Sequence, residues 1–192
     1  MVLLKDDEDF STSPIKSFDE IDENWRDYPG LVIFGTHMPM SVEKKLMAIK
    51  EAREKNIPFL GICFGMQLAI IEYAHNVLGF TDANSTELSP ETIHPVVVKM
   101  PNIRVGIKKV SWEGKDFLCS HWHNYKMNVD YIQYYRQGWD FSLTDGVVEV
   151  MRLRKHPFFL GIQGHPEYDS SKEQPHFLLS QFLNTCKAYA KS

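Results

Sequence analysis

Three residues that could together cleave a carbonyl compound lie at two distant places in the sequence. Cys63 stands in the segment Gly-Ile-Cys-Phe-Gly, and His165 and Glu167 occur in the last third of the chain, separated by one proline. A thiolate can attack a carbonyl carbon, a histidine can take up and return its proton, and a carboxylate can orient the histidine. Taken alone, Cys63 is better explained as a buried structural cysteine. Together the residues predict a triad of Cys63, His165 and Glu167.

The sequence around Cys63 has the pattern of a strand, a sharp turn and a helix. Residues 57–60 are mostly apolar, and apolar residues at helical spacing follow the cysteine. Gly61 and Gly65 suit a strained turn, because such a turn leaves little room for a Cβ atom beside the nucleophile. The sulfur would then lie at the positive end of the helix, which favours the thiolate. The backbone N–H of Phe64 would be a donor for an oxyanion.

The remaining elements are expected to hold this turn in an α/β sheet. Residues 31–34 predict a buried parallel strand, and Ser41 is expected to cap a helix that runs through Lys55 to the strand before Cys63. This order is a β-α-β crossover. Near the N-terminus, residues 2–4 predict a short strand, and the capping pattern at Ser17 predicts a helix through Trp25.

The second half of the chain predicts further strands and a terminal helix. Two short strands, at 96–99 and 105–110, are expected to be joined by a turn at Pro101-Asn102. Residues 81–87 are polar, which leaves a solvated connection as an open alternative to a functional segment. A short helix is expected over 131–137, a hairpin over 147–163 and a helix over 173–189.

Length, charge and cysteine content exclude several classes of protein. With 192 residues, the chain is expected to form one domain over 1–192, and its net charge of −4 offers no broad basic surface for nucleic acid. No apolar run approaches the roughly 20 residues that span a bilayer, so no membrane partner is expected. Three widely spaced cysteines favour a reducing, cytoplasmic location. His121 and His123 would share one strand face, but no third ligand has a matching spacing, so no metal site is expected. The plainer interpretation of these two histidines with Trp122 is an aromatic wall of a substrate pocket or ordinary packing. No cofactor is expected in this chain.

The Cys63 elbow, paired with the Gln-x-His-Pro-Glu motif that ends at Glu167, resembles the class I glutamine amidotransferases. Further segments are similar to the glutaminase domains of the CTP synthase family, notably Ala-Asn-Ser-Thr-Glu at 83–87, His94 to Val96, Tyr125 with Asn128, and residues 156–159. This resemblance extends from about Leu31 to about Tyr168. It implies a flavodoxin-like α/β fold with a mostly parallel central sheet flanked by helices.

The resemblance also implies a reaction. Cys63 would attack the side-chain amide of glutamine, ammonia would leave, and water would release glutamate from a thioester. By position, Gln67 and Glu87 match residues that hold the amino-acid part of glutamine. Tyr125 is a further expected substrate-binding residue. In the CTP synthase family, a separate ATP- and magnesium-dependent synthetase domain uses the ammonia to convert UTP to CTP. A separate synthetase protein is therefore the expected partner, and a link to pyrimidine nucleotide synthesis is the expected context.

Two positions depart from the family pattern. The loop at Gly35 and Thr36, which should supply a second oxyanion donor, keeps one glycine where the family has several. Asn124 stands where the family has an arginine that pairs with the glutamine α-carboxylate. The leading interpretation is an enzyme that hydrolyses glutamine or a related γ-glutamyl amide. The alternatives are a catalytically impaired relative that binds or regulates CTP synthase, and an unstable gene remnant.

Overall fold

The computed structural model describes residues 24–36 and 39–191. The helices and strands, in chain order, are β1 (Leu31–Ile33), α1 (Val42–Glu54), β2 (Phe59–Ile62), α2 (Phe64–Asn76), β3 (Asn84–Ser85), β4 (Pro95–Trp112), β5 (Lys115–Met127), α3 (Ile132–Tyr135), β6 (Trp139–Thr144), β7 (Val147–Leu153), β8 (Phe159–Ile162) and α4 (Phe177–Tyr189). The strand expected at 2–4 lies outside the described residues, as does the start of the helix expected from Ser17. The end of that segment, Trp25–Asp27, is a 3-10 turn.

The larger sheet has the spatial order β1, β2, β8, β7, β6. Strands β1, β2 and β8 are parallel, whereas β7 pairs antiparallel with both β8 and β6. Four of the five strands therefore run in the same direction, and the carboxyl ends of β1, β2 and β8 meet at one edge. The predicted α/β class is confirmed, and the hairpin expected over 147–163 is present as β7 and β8.

Helices cover both faces of this sheet, because alternate residues of each strand point to opposite sides. Phe59 of β2 lies in a core cluster with α1 and α2, and its neighbour Leu60 lies in a second cluster with α4. Every residue of α2 from Phe64 to Ala74 is buried. This helix is therefore enclosed on all sides, and its first turn is fixed in position by packing.

A second, three-stranded sheet has the order β3, β4, β5. The prediction of a turn at Pro101-Asn102 is wrong, because both residues lie within β4, a continuous strand of 18 residues. The antiparallel register of β4 and β5 shifts between Lys99 and Arg104. Pro101 has no N–H to donate, and it lies in this irregular segment, where no regular pairing is required.

Three other expectations need correction at their boundaries. Ser41 precedes α1 as expected, but it has a left-handed backbone with φ 51° and no capping hydrogen bond from its side chain. Helix α4 begins at Phe177 rather than near 173, because the ring of His176 accepts a hydrogen bond from the N–H of Leu178 at 3.3 Å. The helix expected over 131–137 is the short α3, preceded by the 3-10 turn Val129–Tyr131. Among the described residues, no helix is long and apolar enough to cross a membrane.

Candidate active site

Cys63 occupies a sharp turn between β2 and α2, as its sequence context indicates. Its backbone has φ 53° and ψ −105°, a conformation that is strained for a residue with a side chain. The N–H of Cys63 donates to the carbonyl of Ile162 in β8 at 2.8 Å, which ties the turn to the centre of the sheet. A Cβ atom at Gly65 would overlap the carbonyl oxygen of Ile33. Glycine there lets α2 start close against β1.

The carboxyl edge of the parallel strands brings the other expected residues to Cys63. The loop after β1 holds Gly35, and the segment after β8 holds His165. A Cβ atom added at Gly35 would lie 2.9 Å from Cε1 of His165 and 3.5 Å from Sγ of Cys63, so three strand ends meet at one point. The N–H of His165 also donates to the carbonyl of Ser120 in β5 at 2.7 Å, which joins this edge to the second sheet.

His165 lies between the cysteine and the carboxylate. Its Nδ1 is 2.7 Å from Oε1 of Glu167, and both side chains are 7% exposed. Burial lowers the pKa of His165, but hydrogen bonds with Cys63 and Glu167 outweigh burial and raise it to about 10. The imidazole is therefore protonated at neutral pH. Its ring also stacks on Tyr168, with the centroids 4.7 Å apart and the planes within 4°.

A cavity of about 330 Å³ opens beside the sulfur. Nine of the ten site residues expected from the sequence line it, namely Gly35, Thr36, Cys63, Phe64, Gln67, Glu87, Asn124, Tyr125 and His165. Glu167 lies behind His165, where an orienting carboxylate would be. The solvated-loop interpretation of 81–87 does not hold at its end, because Ser85 is fully buried and Glu87 faces the cavity.

Gln163 is a residue near the sulfur that sequence reasoning left without a role. Its Nε2 lies 3.7 Å from Sγ of Cys63, and its Oε1 lies 3.5 Å from Nε2 of Gln67. Nε2 of Gln67 also donates to the carbonyl of Tyr125 at 3.1 Å. Gln163 and Gln67 are buried, and they therefore form a fixed polar wall from the nucleophile to β5. The Gln-x-His-Pro-Glu motif contained the signal for Gln163.

Behind β5, a buried polar network connects the cavity wall to β7. Nδ1 of His121 is 3.2 Å from Nε2 of His123, and Nδ1 of His123 is 2.9 Å from the carbonyl of Tyr125. Arg104 Nη2 donates to Oε1 of Glu149 at 2.5 Å, which links β4 to β7. Burial lowers the pKa of His121 to about 3 and that of His123 to about 4, so both are neutral at pH 7.

The two histidines thus act as a hydrogen-bonded pair in the wall. Within the part of the chain that the structure describes, no group of three or more His, Cys, Asp or Glu side chains is arranged to hold a metal ion. His123 and Trp122 line the cavity, as the wall interpretation of this segment predicts, and Tyr168, which the sequence did not single out, lines it too. Their aromatic and imidazole rings form part of the cavity's rim and floor.

A parallel α/β sheet with a cysteine elbow, a histidine and a carboxylate at its carboxyl edge defines a class of proteins that work through a cysteine nucleophile. Within this class, the chain belongs to the class I glutamine amidotransferase family, whose sequence model, described as "Glutamine amidotransferase class-I", matches residues 9–185. The family expected from the sequence is thereby confirmed.

Among curated proteins, the chain is similar to CTP synthases. It is 39% identical to the CTP synthase of Sulfolobus acidocaldarius over 90% of its own length and 37% of the relative's length. It is 38% identical to that of Flavobacterium psychrophilum over 84% of its length and 35% of the relative's. The chain therefore spans a little over a third of the relatives that it matches.

Solved structures give the same assignment. The glutaminase domain of the Trypanosoma brucei CTP synthase, solved with bound acivicin, superposes with a TM-score of 0.77 at 29% identity, covering 86% of this chain and 72% of that one. A protein from Thermoplasma acidophilum, described as one subunit of a GMP synthase, shares the fold, with a TM-score of 0.61 at 19% identity over 90% of this chain and 80% of that one. The expected resemblance to the CTP synthase glutaminase domain is confirmed.

Proposed function

We propose that this protein hydrolyses the side-chain amide of glutamine or of a closely related γ-glutamyl amide. The observation that supports this most strongly is the placement of the buried His165 between Cys63 and Glu167 at a cavity of about 330 Å³. Its hydrogen bonds with Cys63 and Glu167 raise its pKa to about 10, which favours the protonated imidazole. A cavity of this volume suits an amino-acid-sized substrate. Cys63, His165 and Glu167 are the proposed catalytic triad.

The proposed reaction has two steps, formation of a thioester on Cys63 and its hydrolysis. The Cys63 thiolate adds to the amide carbon, the carbon–nitrogen bond breaks, and the His165 imidazolium protonates the departing nitrogen to give ammonia. A water molecule, deprotonated by His165, then adds to the thioester carbon. The carbon–sulfur bond breaks, the carboxylic acid leaves, and Cys63 returns to the thiolate. Glu167 holds Nδ1 of His165 so that the other ring nitrogen faces the sulfur.

Backbone N–H groups are the proposed stabilisers of the tetrahedral intermediate. The N–H of Phe64 begins α2, where the first N–H groups of a helix have no partner within the helix. The Gly35-Thr36 loop, which approaches both Cys63 and His165, is the proposed source of a second donor. Removing one donor of this kind typically slows turnover by ~10²–10³-fold.

The direct test is the release of ammonia from L-glutamine and from its α-amide, L-glutaminamide, by purified protein. Release well above that of Cys63→Ala for at least one compound is expected. Equal release by the wild type and by the variant for both compounds would refute hydrolysis. Because the similar trypanosomal domain was solved with acivicin, acivicin is a suitable probe. Mass spectrometry should find its adduct on Cys63, which lines the cavity, rather than on Cys119 and Cys186, which do not.

The proposed use of the ammonia is the synthesis of CTP from UTP by a synthetase that acts with this protein. Similarity to CTP synthases over about 37% of their length supports this context. The chain alone should form no CTP from UTP and ATP, and the addition of a synthetase should make CTP formation depend on Cys63. CTP formation by the isolated chain, or full coupling with Cys63→Ala, would contradict the partnership.

A second candidate function is a non-catalytic partner that binds or regulates a CTP synthase. The observation that favours it is an exposed apolar face on the β4–β5 ribbon, where Val105 is paired with Trp122 and Ile107 is 63% exposed. Under this alternative, the wild type and Cys63→Ala would change the rate of an added synthase equally. An effect confined to the wild type would leave hydrolysis as the better account.

A further inference from the structure

The cavity beside Cys63 has few charges with which to bind an amino acid. Among the described residues that line it, Glu87 is the only Asp or Glu, and there is no Lys or Arg. His165 is positively charged, but its Nδ1 is already bound to Glu167. His123 is neutral at pH 7, because burial lowers its pKa to about 4. Beyond the catalytic imidazolium, the described lining therefore offers no cation to a substrate carboxylate.

The basic side chains that flank this wall are bound elsewhere. Arg104 is paired in register with His123, but its guanidinium is buried and donates to Glu149. Lys126 follows Tyr125, and its Nζ donates to the carbonyl of Gly146 at 2.8 Å. Asn124, which lies between His123 and Tyr125 on β5, faces the cavity instead. Its side chain is an uncharged amide with both donor and acceptor atoms.

Asn124 lies where the cavity opens to solvent. It is exposed, and so are two neighbours in the lining, Trp122 at 56% and Tyr168 at 69%. A substituent attached to the substrate near Asn124 can therefore extend out of the cavity without displacing protein atoms. The exposed indole of Trp122 gives such a substituent an apolar surface to contact.

We propose that the cavity selects glutamine units whose α-amine is free and whose α-carboxyl group is an amide or an ester, as in an N-terminal glutamine residue of a peptide. This selectivity rests on the function proposed above and specifies its substrate. A carboxylate that gives up part of its hydration at this rim without gaining a cation costs free energy, whereas Asn124 can donate to a neutral carbonyl and accept from an amide N–H. The ammonium group suits a lining whose one acidic side chain is Glu87.

Binding measured without turnover tests this selectivity. Isothermal titration calorimetry at pH 7 on Cys63→Ala would compare L-glutamine with L-glutaminamide, which has the same size but no α-carboxylate. L-glutaminamide should bind roughly 10-fold or more tightly, because it lacks the carboxylate that L-glutamine would leave without a cationic partner in the complex. N-acetyl-L-glutaminamide, which lacks the ammonium group, should bind more weakly than L-glutaminamide.

L-glutamine binding as tightly as L-glutaminamide, or the absence of binding by either, would overturn the proposal. So would equal binding of the acetylated compound, because a free amine would then be irrelevant. Hydrolysis is not needed for this measurement. A protein that prefers L-glutaminamide but releases no ammonia would refute the proposed reaction and leave the selectivity standing.

Restoring a cation should reverse the preference. Asn124→Arg should tighten L-glutamine binding ~10–10²-fold relative to L-glutaminamide, and Asn124→Lys is a second variant if the first does not fold. The matched control is Asn102→Arg, which adds the same charge at an exposed position of β4 outside the cavity lining. An unchanged preference in both Asn124 variants, or an equal change in the control, would contradict the proposal.

Discussion

At the level of single residues, the proposed reaction depends on the contact between Glu167 and His165. One carboxylate oxygen, 2.7 Å from Nδ1, fixes the orientation of the imidazole, and Tyr168 stacks on the ring. The hydrogen bonds that raise the pKa of His165 are also those that hold it in place. The proton that the proposed reaction transfers to the leaving ammonia is thus held on His165, beside Cys63.

Replacing Glu167 by Gln should lower kcat by ~10²–10⁴-fold, since an amide can hold the wrong tautomer of the histidine while preserving its position. KM should change little, because Glu167 does not line the cavity. Steady-state ammonia release provides the measurement. Glu173→Gln, which removes an exposed charge nearby in sequence, should keep full activity. Equal rates for Glu167→Gln and the wild type would remove Glu167 from the triad.

Sequence reasoning was most effective at this scale. Cys63, His165 and Glu167 have reactive side chains within a recognisable motif, and the fold brings them together. Gln163 lies in the same motif, but an amide has no reactivity of its own, and its contact with the sulfur depends on the direction of β8. Tyr168 was missed because its position at the cavity rim is set by stacking on His165 rather than by a motif of its own.

At the scale of elements, the start of α2 depends on the absence of a side chain at Gly65. Gly65→Ala should destabilise the protein by about 1–3 kcal/mol or more, because its methyl group would overlap the Ile33 carbonyl and push α2 from β1. Activity should fall too, since Cys63 precedes this turn. Urea denaturation monitored by circular dichroism measures the change.

The control for that prediction is Gly79→Ala. Gly79 has φ 78° and open space where a Cβ atom would lie, so the substitution costs only the left-handed conformation, about 1–2 kcal/mol. Its activity per folded molecule should equal that of the wild type. Full activity in Gly65→Ala at wild-type stability would show that the elbow does not require the close approach.

The two sheets are joined by the buried ion pair between Arg104 of β4 and Glu149 of β7. Arg104→Met alone should cost about 1–3 kcal/mol, because burial, which already raises the pKa of Glu149 to about 7, would then keep this carboxyl protonated and without its hydrogen-bond donor. The double variant Arg104→Met/Glu149→Leu should cost less than the sum of the two single changes. Free energies of unfolding from urea titrations of the wild type, both single variants and the double variant give a double-mutant cycle. If the two single changes add within about 0.5 kcal/mol, the pair is not coupled.

The sequence predicted the parallel strands and the large helices, because buried apolar runs and helical spacing are local signals. It failed at Pro101, where a proline normally ends a strand. The register shift in β4 accommodates it, and that shift depends on pairing with β5 rather than on the residues beside the proline. Ser41 failed as a cap because its backbone is left-handed, with φ 51°, and its side chain makes no capping hydrogen bond.

The stability of the whole molecule should depend on pH because His165 binds a proton more tightly in the folded state. The folded state raises the pKa of His165 from 6.5 to about 10, so the folded protein binds this proton more tightly than the unfolded chain does. The resulting stabilisation is fully present below pH 6.5 and is lost as the pH rises toward 10. One such proton gives a slope of at most about 1.4 kcal/mol per pH unit.

The free energy of unfolding between about pH 6 and pH 10 therefore should decline, and the decline should be shallower in Glu167→Gln, where one of the contacts that raise the pKa is missing. Glu173→Gln should follow the wild type throughout. Parallel curves for wild type and Glu167→Gln would contradict the assigned contact between Glu167 and a protonated His165. A cooperative transition in these titrations would also exclude the unstable-remnant alternative.

In the proposed reaction, Cys63 forms a thioester with the acyl part of a glutamine-type amide. Rapid acid quenching of the protein with L-glutamine or L-glutaminamide, followed by mass spectrometry of the peptide that contains Cys63, would detect this thioester. We expect a mass increase equal to the acyl group on Cys63 of the wild type, and none in Cys63→Ala. An unmodified Cys63 at every time point while ammonia is released, or no ammonia from either compound, would contradict this account.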